Sequence, residues 1–478
     1  MKKIFTSLFL AAVCMACSDI LEEKPKSLSS ENFYNTASEA KAAVNAIYGP
    51  MRTDPALSTN YPAQLEGLAD YGNSRGTQTA VSLYQGLDNT NINRVATIWD
   101  NFYQSIRNAN LVIANVPKGT SMTDAEKASF VAEAKYMRAL IYFALVRNWA
   151  GVPLRTEENM TVADIPRSSV GDVYKLIVAD ALIAESGLPD NPSEIGRPTK
   201  WAAKTLLSEV YMYLEQWESS SAKAKEVIDS KKYSLVPVTV SEDFQKIYGP
   251  EVVNTPEEIF YFKYSRQQGF GLVSYAHRKI GQYNYYGPGG VYAQYTDSVS
   301  NPVIKNWDFK DLRKNHMFYN VDIGLGSTSL LYRKYRDPLA TGGAGNDYPW
   351  YRYADLLLFH AEADARANGK PTAEALESLN KVHRRAYGKP AEAVSAVDFK
   401  LADFTLQTFI DKVVQERGYE TMYEGKRWND LKRLGIAKQR ILEVKNIVVA
   451  EKHMLWPIPN SEILYNKAIT AKDQNPGY

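Results

Sequence analysis

One short segment has the residue spacing of a serine-hydrolase nucleophile. Residues 72–76, GNSRG, fit the G-x-S-x-G pattern, in which a sharp turn between a buried strand and a helix presents the serine hydroxyl to a histidine. The preceding residues, LEGLADY, lack the β-branched side chains of a buried strand, and the following TQTAVSLY is a poor helix start. This context argues against Ser74 as a catalytic nucleophile.

Carboxylates are the second group that could catalyse a reaction. Glycoside hydrolysis needs two of them a few ångströms apart, and the sequence does not show which of its 54 acidic residues would meet. Four acids stand out because they lie in apolar helical segments near Arg384, Arg417 and Arg427: Glu362, Glu416, Glu424 and Asp430. Structural ion pairing is the more economical interpretation, because a buried charge needs a partner. We therefore predict no catalytic residues.

Metal and phosphate chemistry have no motif to support them. The five histidines are scattered and lack the spacing of a zinc site: His277, His316, His360, His383 and His453. No glycine run is followed by the Lys-Ser/Thr pair of a phosphate loop. The net charge of +2, with no block of Lys or Arg, argues against nucleic acid as a partner. The sequence predicts no metal and no other cofactor.

Tyrosine is the residue type in excess, with 32 copies against 16 Phe and 8 Trp. Eight copies fall within 35 residues, where even spacing would place about two: Tyr261, Tyr264, Tyr275, Tyr283, Tyr285, Tyr286, Tyr292 and Tyr295. A tyrosine ring stacks on the apolar face of a sugar while its hydroxyl forms hydrogen bonds. The alternative is that many of these rings fill the core of their own segment.

A buried helix must position these residues, and the segment EAKYMRALIYFALVRNWAGVPL, residues 133–154, predicts one. Apolar residues recur at three- and four-residue steps along it: Phe130, Ala134, Met137, Ile141 and Leu145. Thr123 has the spacing of a capping box with Glu126, and Gly151 is expected to end the helix in the left-handed conformation. Arg138 and Arg147 would then need partners.

Helical patterns elsewhere occur in pairs joined by short turns. The predicted pairs are 37–48 with 96–116, the helix described above with 169–186, 200–217 with 219–230, and 352–369 with 372–386. Such pairs are typical of tetratricopeptide-like repeats, in which each pair buries its apolar face on the next. We therefore predict a mainly α fold of about four pairs, with residues 50–95 as a long ordered loop.

Residues 233–349 have a different character from these repeats. They contain turn signals such as YGPGG at 286–290 and GGAGN at 342–346, together with short β-prone runs such as IFYFKYS. We predict a long irregular insertion with a few short strands and helices, packed against the repeats. Long loops on a rigid scaffold commonly carry function.

The amino terminus predicts export and lipid attachment. Residues 1–17 combine Lys2 and Lys3 with a short apolar stretch, too short to span a membrane, and end at Cys17. Cys17 after Ala16 fits a lipoprotein signal, followed by a polar tether at 18–30; the alternative is an ordinary secretory signal cut nearby. Because Cys14 and Cys17 are the two cysteines of the sequence, the mature domain would contain no disulfide.

Motifs in order along the chain resemble those of one family. They are the helix closed by GVPL at 151–154, the segment FIDKVVQERGYETMYEGKRWNDLKRLG at 409–435, LWPIPNSEI at 455–463 and QNPGY at 474–478. With the leader, they make the chain similar to the SusD/RagB family, surface lipoproteins of Bacteroidetes-type bacteria that capture nutrients beside an outer-membrane transporter. The resemblance implies SusD-like helical regions at 31–232 and 350–478, and is weakest at 50–95 and 233–349.

The resemblance also implies a function and a location. The chain would be lipid-anchored at the outer membrane, face the cell exterior, bind an oligosaccharide without altering it, and deliver it to a SusC-like TonB-dependent β-barrel. The residues expected to contact the ligand come first from the insertion and second from the early loop: Tyr283, Tyr285, Tyr286, Tyr292 and Trp307, then Tyr71, Asn73 and Tyr84.

Two other functions stay open at this point. Some members of the family bind peptides, and the same tyrosines could line a groove for an extended peptide chain. A surface hydrolase that uses Ser74 or an unrecognised pair of carboxylates is the less favoured alternative.

Overall fold

The computed structural model describes residues 33–478, so the predicted leader, Cys17 and the whole tether at 18–30 lie outside the described residues. Among residues 33–478, no helix has both the length and the apolar character needed to cross a membrane. The described chain is mainly α-helical, with eighteen helices and six short strands. The predicted fold class is therefore confirmed.

The amino-terminal half contributes eight helices. They are α1 (Ala37–Met51), α2 (Asn60–Gly67), α3 (Thr79–Ser82), α4 (Asn89–Asn115), α5 (Asp124–Trp149), α6 (Val170–Gly187), α7 (Lys200–Tyr213) and α8 (Trp217–Asp229). The insertion adds α9 (Gln245–Tyr248), α10 (Leu272–Tyr275), α11 (Pro302–Lys305) and α12 (Leu312–Met317). The carboxy-terminal region holds α13 (Tyr353–Ala367), α14 (Ala373–Ala386), α15 (Leu406–Glu420), α16 (Arg427–Arg433), α17 (Ala437–Lys445) and α18 (Asn460–Tyr465).

The long helices pack in the four predicted pairs. Helix α1 lies on α4, α5 on α6, α7 on α8, and α13 on α14. Helix α8 also packs on α13 and so joins the last pair to the first three.

Helix α4 begins at Asn89, earlier than the predicted residue 96, because Asp88 caps it: the Asn91 amide donates to Asp88 Oδ1 at 2.8 Å. Residues 50–95 thus contain short helices rather than only a loop.

Helix α5 is the central element, and its start agrees with the sequence. The Glu126 amide donates to Thr123 Oγ1 at 3.2 Å, and the Thr123 amide donates to Glu126 Oε2 at 2.8 Å, which forms the predicted capping box. The prediction that Gly151 takes the left-handed conformation is wrong, since Ala150 has the positive φ, 62°, at the end of this helix. Gly151 is needed for space, because a Cβ there would lie 2.2 Å from the Ser168 carbonyl oxygen.

The charges of α5 have the partners that burial requires. Arg138 donates from Nε to Asp180 Oδ2 at 2.6 Å and from Nη2 to Asp180 Oδ1 at 3.0 Å, which joins α5 to α6. Arg147 donates to Glu209 Oε1 on α7 at 3.0 Å. These buried pairs fix the register of neighbouring helices, because a slip would leave a charge unpaired.

Two antiparallel sheets organise the insertion. The first has the order β1-β3-β5-β4, and its strands are β1 (Asn73–Ser74), β3 (Gln294–Asp297), β5 (Ser329–Tyr332) and β4 (Phe318–Asn320). The second pairs β2 (Glu258–Phe262) with β6 (Tyr348–Arg352). Strand β1 belongs to the early segment, so the first sheet joins two regions that are far apart in sequence.

Candidate ligand-binding cleft

An open cleft of about 1440 Å³ lies between the early segment and the insertion. Its walls come from residues 52–60 and 75–77 on one side, and from 266–275, 290–293 and 341–343 on the other. The lining is rich in hydroxyl, amide and guanidinium groups, together with two tyrosine rings, Tyr275 and Tyr292. Rings combined with convergent polar groups are the composition expected of a sugar-binding site.

Hydrogen bonds between the two regions hold the cleft in shape. In the β1–β3 ladder Asn73 faces Tyr295, and the Arg75 amide donates to the Ala293 carbonyl oxygen at 2.8 Å. Ser58 donates to the Gly269 carbonyl oxygen at 2.9 Å and accepts from the Gly271 amide at 2.8 Å. The early segment and the insertion are therefore tied together at two separate places beside the cleft.

A single turn of π-helix, Asp54–Ser58, forms part of one wall. Asp54 Oδ1 accepts from the Ser58 hydroxyl at 2.7 Å and from the Thr59 hydroxyl at 3.0 Å, so this carboxylate helps to hold the turn. Gly271 is required opposite it, since a Cβ at that position would lie 2.0 Å from Thr59 Oγ1. Close backbone approach therefore shapes this wall.

Tyr292 is the predicted site residue that lines the cleft. Its half-buried ring lies near two guanidinium groups, with Arg75 Cζ at 4.7 Å and Arg278 Cζ at 5.3 Å from the ring centroid. Its φ of 38° is unusual for an aromatic residue and carries strain, which the surrounding structure must compensate. Tyr275 is also half-buried, and burial raises the pKa of its hydroxyl.

Tyr283 and Tyr285 lie outside this cleft lining. With Tyr292 and Tyr295 they pack, half-buried, on a small apolar cluster separate from the main core: Tyr319, Val321, Ile323 and Leu331. The Tyr283 and Tyr285 rings stack with their centroids 5.8 Å apart, and the Tyr285 hydroxyl accepts from Arg333 at 3.0 Å. These two rings thus form a patch of their own.

The other predicted aromatic contacts are buried side chains. Tyr71, Tyr84, Tyr286 and Trp307 are 0%, 6%, 4% and 2% exposed, respectively. Trp307 stacks on Tyr419 with a centroid distance of 4.1 Å. Because none of these four rings offers an open face, they do not form part of an open binding site. At these positions the alternative explanation of the tyrosine excess, that the rings fill a core, is correct.

Several cleft residues were not predicted from the sequence. They share polar side chains on irregular segments that carry no motif: Arg52, Asn60, Arg75, Thr77, Gln267 and Gln268. Arg75 lies in the GNSRG segment, directly after Ser74, the candidate nucleophile. The density of polar residues in the early segment indicates that this region could bind a ligand, but it does not identify the side chains that line the cleft.

The catalytic candidates have structural surroundings instead. Ser74 is buried in β1, and its Oγ has no hydrogen-bond partner among the described residues, so no base contacts it. The four prominent acids are ion-paired as predicted, with partners contributed by several elements: Glu362 with Arg433, Glu416 with Arg313, Glu424 with Arg352, and Asp430 with Arg417. Within residues 33–478, no group of three or more His, Cys, Asp or Glu side chains could hold a metal ion.

The sequence of this chain is similar to two family models and to known proteins. A model of the SusD family matches residues 281–478, and a model described as starch-binding and associating with the outer membrane matches residues 19–212. SusD-like protein P2 of Formosa agariphila is 26% identical to this chain, and the alignment covers 100% of both.

Solved structures share the fold along nearly the whole length. A SusD homolog from Bacteroides thetaiotaomicron superposes with a TM-score of 0.83 at 21% identity, over 96% of this chain and 100% of that chain. A laminarin-binding SusD-like protein superposes with a TM-score of 0.74 at 22% identity, over 93% and 100% of the two chains. At such identities the likeness shows the fold alone.

Proposed function

The chain belongs to the SusD/RagB family, and on that basis we propose that it is a surface-exposed lipoprotein that captures an oligosaccharide in the cleft and releases it unchanged. The observation that carries the proposal is the cleft itself, in which two half-buried tyrosine rings lie among hydroxyl, amide and guanidinium groups. Rings supply stacking area, and polar groups bond the hydroxyls of a sugar. The fold that the chain shares with a laminarin-binding SusD-like protein supports the proposal.

Substitution of the cleft tyrosines tests this assignment. We expect Tyr292→Ala and Tyr275→Ala each to weaken oligosaccharide binding about tenfold, because each removes a stacking ring and its hydroxyl. Titration calorimetry on the full-length chain, with a panel of glycans and peptides, measures the change.

Tyr283→Ala is the matched control, since it removes a half-buried ring outside the cleft. It should leave affinity within about twofold of the wild type. If Tyr283→Ala abolished binding while Tyr292→Ala did not, the site would move to the outer patch. If heat appeared with peptides only, the cargo would be peptide.

Delivery and anchoring belong to the same proposal. Cys17 would carry the lipid that holds the chain on the outer face of the outer membrane, beside a SusC-like TonB-dependent β-barrel that takes the captured glycan. Metabolic labelling with a fatty acid should mark the wild type and not Cys17→Ala. Affinity purification of the tagged chain from membranes should recover a β-barrel transporter; recovery without one would contradict the delivery step.

A further inference from the structure

Guanidinium groups without acidic partners concentrate at the cleft, and we infer from them that its ligand is an acidic oligosaccharide bearing carboxylate or sulfate groups. The inference rests on the proposed function, because it names the class of glycan bound at the same site. Four arginines carry it: Arg52, Arg75, Arg94 and Arg278. Within residues 33–478, none of them has a carboxylate oxygen within 4.0 Å.

Arg52 provides the strongest observation. It lines the cleft and is half-buried, yet among the described residues its guanidinium makes no hydrogen bond and no ion pair. Its Nε is buried without a partner, and its Cζ lies 5.3 Å from the ring centroid of Tyr264. A half-buried charge without a partner destabilises a fold. An anionic group on the ligand would supply the missing partner.

Arg75 and Arg278 extend the positive surface around Tyr292. Arg75 donates to the Ile323 carbonyl oxygen at 3.1 Å, and Arg278 donates to the Asp322 carbonyl oxygen at 3.0 Å. The Asp322 carboxylate is bonded by three amides of its own turn, and those amides and Arg278 lower its pKa. A neutral acceptor leaves the full positive charge of a guanidinium available. An anionic group of a ligand bound beside Tyr292 would therefore lie near two cations.

Arg94 adds a fourth cation beside the cleft. It donates from Nη2 to the hydroxyl of Thr77, a lining residue, at 2.9 Å and from Nη1 to Asn91 Oδ1 at 2.9 Å. Both acceptors are neutral. Two of the four arginines, Arg52 and Arg75, thus line the cleft, and Arg94 and Arg278 each contact a lining residue.

The acidic groups at the cleft do not cancel this charge. Asp54 is the carboxylate of the lining, and its Oδ1 accepts from two hydroxyls of its own turn. The charge of Asp347 also interacts with Arg52, but Asp347 is paired with Lys263 at 2.9 Å. Arg266 also lines the cleft, but it is paired with buried Asp337 at 2.8 Å and with Glu251 at 2.5 Å. After this pairing the lining retains the charges of Arg52 and Arg75 against Asp54, so it is positive.

Buried arginines elsewhere are paired, so a shortage of acids does not explain the pattern. Arg138, Arg313 and Arg352 each contact one or more carboxylates at 2.6 to 3.3 Å. The planar guanidinium forms two parallel hydrogen bonds with a carboxylate or a sulfate, which gives it preference for acidic sugars over neutral ones.

Binding to matched polysaccharides tests the inference on the full-length chain. The three probes are a neutral glucan, a uronic-acid polymer and a sulfated galactan. In dilute salt, where the Debye length is about 10 Å, we expect an acidic probe to bind at least about tenfold more tightly than the neutral one. In concentrated salt, where the Debye length is about 3 Å, the acidic probe should lose most of this advantage. Comparison of the uronate and the sulfate probes identifies which anion the cleft prefers.

Charge variants locate the effect. Arg52→Gln and Arg75→Gln should each weaken binding of the acidic probe about tenfold and weaken any binding of the neutral probe by a smaller factor. Arg52→Lys keeps the charge and should retain more affinity than Arg52→Gln. Arg107→Gln is the control, because Arg107 is exposed on α4 and does not line the cleft.

The possible outcomes separate the inference from the proposed function. Preferential binding of the neutral glucan, lost in Tyr292→Ala and unchanged in Arg52→Gln, would overturn the acidic class and keep the proposed function. Absence of binding to every glycan would overturn both. Melting temperature distinguishes a structural role: Arg52→Gln should melt no lower than the wild type, and a large decrease would show that Arg52 supports the fold instead of a ligand.

Discussion

Two buried glutamates respond to burial in opposite ways. Glu66 accepts only from neutral donors, the Tyr71 hydroxyl at 2.9 Å and the Gly425 amide at 2.6 Å, and burial raises its pKa from 4.5 to about 7. Glu424 is surrounded by cations, above all Arg352, and its pKa lies well below the usual range. A local count of charges, rather than burial alone, decides the direction.

The Glu66 shift predicts a dependence of stability on pH. Between pH 4.5 and about 7 the folded protein holds a proton that the unfolded chain releases, so this group lowers the free energy of unfolding as pH rises through that window. Glu66→Gln should equal the wild type near about pH 4 and exceed it by up to about 3 kcal/mol near about pH 8. Urea denaturation at both pH values measures the difference.

Glu424→Gln serves as the comparison for Glu66→Gln. Because its depressed pKa makes ionised Glu424 stabilising at neutral pH, its substitution should lower stability there by about 3–5 kcal/mol. A gain of stability in Glu424→Gln, or a loss in Glu66→Gln at high pH, would contradict this account.

Trp307 is predicted to support the fold and not the ligand. Its ring stacks on Tyr419 and its Nε1 donates to Asp311 at 2.8 Å. Trp307→Ala should lower the free energy of unfolding by about 3–5 kcal/mol. Calorimetric titration of the folded fraction should give wild-type affinity, whereas a selective loss of affinity would return Trp307 to the binding site.

The contrast between Trp307 and Tyr292 shows how far residue-level reasoning from sequence extends. Both are aromatic residues in the same turn-rich insertion, and the sequence cannot show which ring faces open space. That distinction depends on partners such as Tyr419 and Arg75, which lie about a hundred or more residues away in the chain. Composition therefore identifies the aromatic region, and only tertiary packing identifies the exposed ring.

At the scale of elements, prediction is strongest where periodicity is long. Helices α5 to α8 repeat their apolar residues over several turns, so their pairing was predictable, as were the capping box at Thr123 and the need for partners at Arg138. The end of α5 was not predictable in detail. The steric reason for Gly151 is a distant carbonyl oxygen, that of Ser168.

This ending gives a test with two glycines. Gly151→Ala should destabilise the protein by about 1–3 kcal/mol, because its Cβ would lie 2.2 Å from the Ser168 carbonyl oxygen and would force the backbone apart. Gly171→Ala, within α6, meets only Ser169 Oγ at 3.8 Å and should stabilise by about 0.5–1 kcal/mol. Thermal denaturation of both variants checks the opposite signs, and equal signs would contradict the steric explanation.

At the scale of the whole molecule, buried ions connect the insertion to the carboxy-terminal helices. Arg352 pairs with Glu257 at 2.9 Å, with Glu420 at 2.8 Å and with Glu424 at 2.7 Å, and every one of these side chains is at most 1% exposed. Arg385 bridges Glu257 and Glu420 as well. The Arg352 pairs join segments more than sixty residues apart into one core.

Removal of this connection should affect the whole fold. Arg352→Met is expected to lower the free energy of unfolding by about 3–5 kcal/mol, because it leaves buried carboxylates uncompensated. Lys175→Met is the control, since its pair with Asp172 is exposed and should contribute far less to stability than the buried pairs do. Chemical denaturation compares the two, and similar losses would contradict the importance of burial.

The pairing of strands far apart in the chain could not be predicted from the sequence. Strand β1 has two residues, too few for any alternating pattern, and its partner β3 is more than two hundred residues later. The early segment and the insertion were both predicted to contribute to the site, but their contact depends on this non-local ladder.

The hydrogen bonds at β1 and at Ser58 should affect the rate of ligand binding. With its two sides fastened to each other before any sugar arrives, the receptor does not need to close around its cargo, so capture should proceed in one step at a rate set by diffusion and charge. Empty and loaded forms would then look nearly alike from outside. Under the proposed function, the transporter that takes the sugar would then have to recognise the sugar itself and not a change in the shape of this protein.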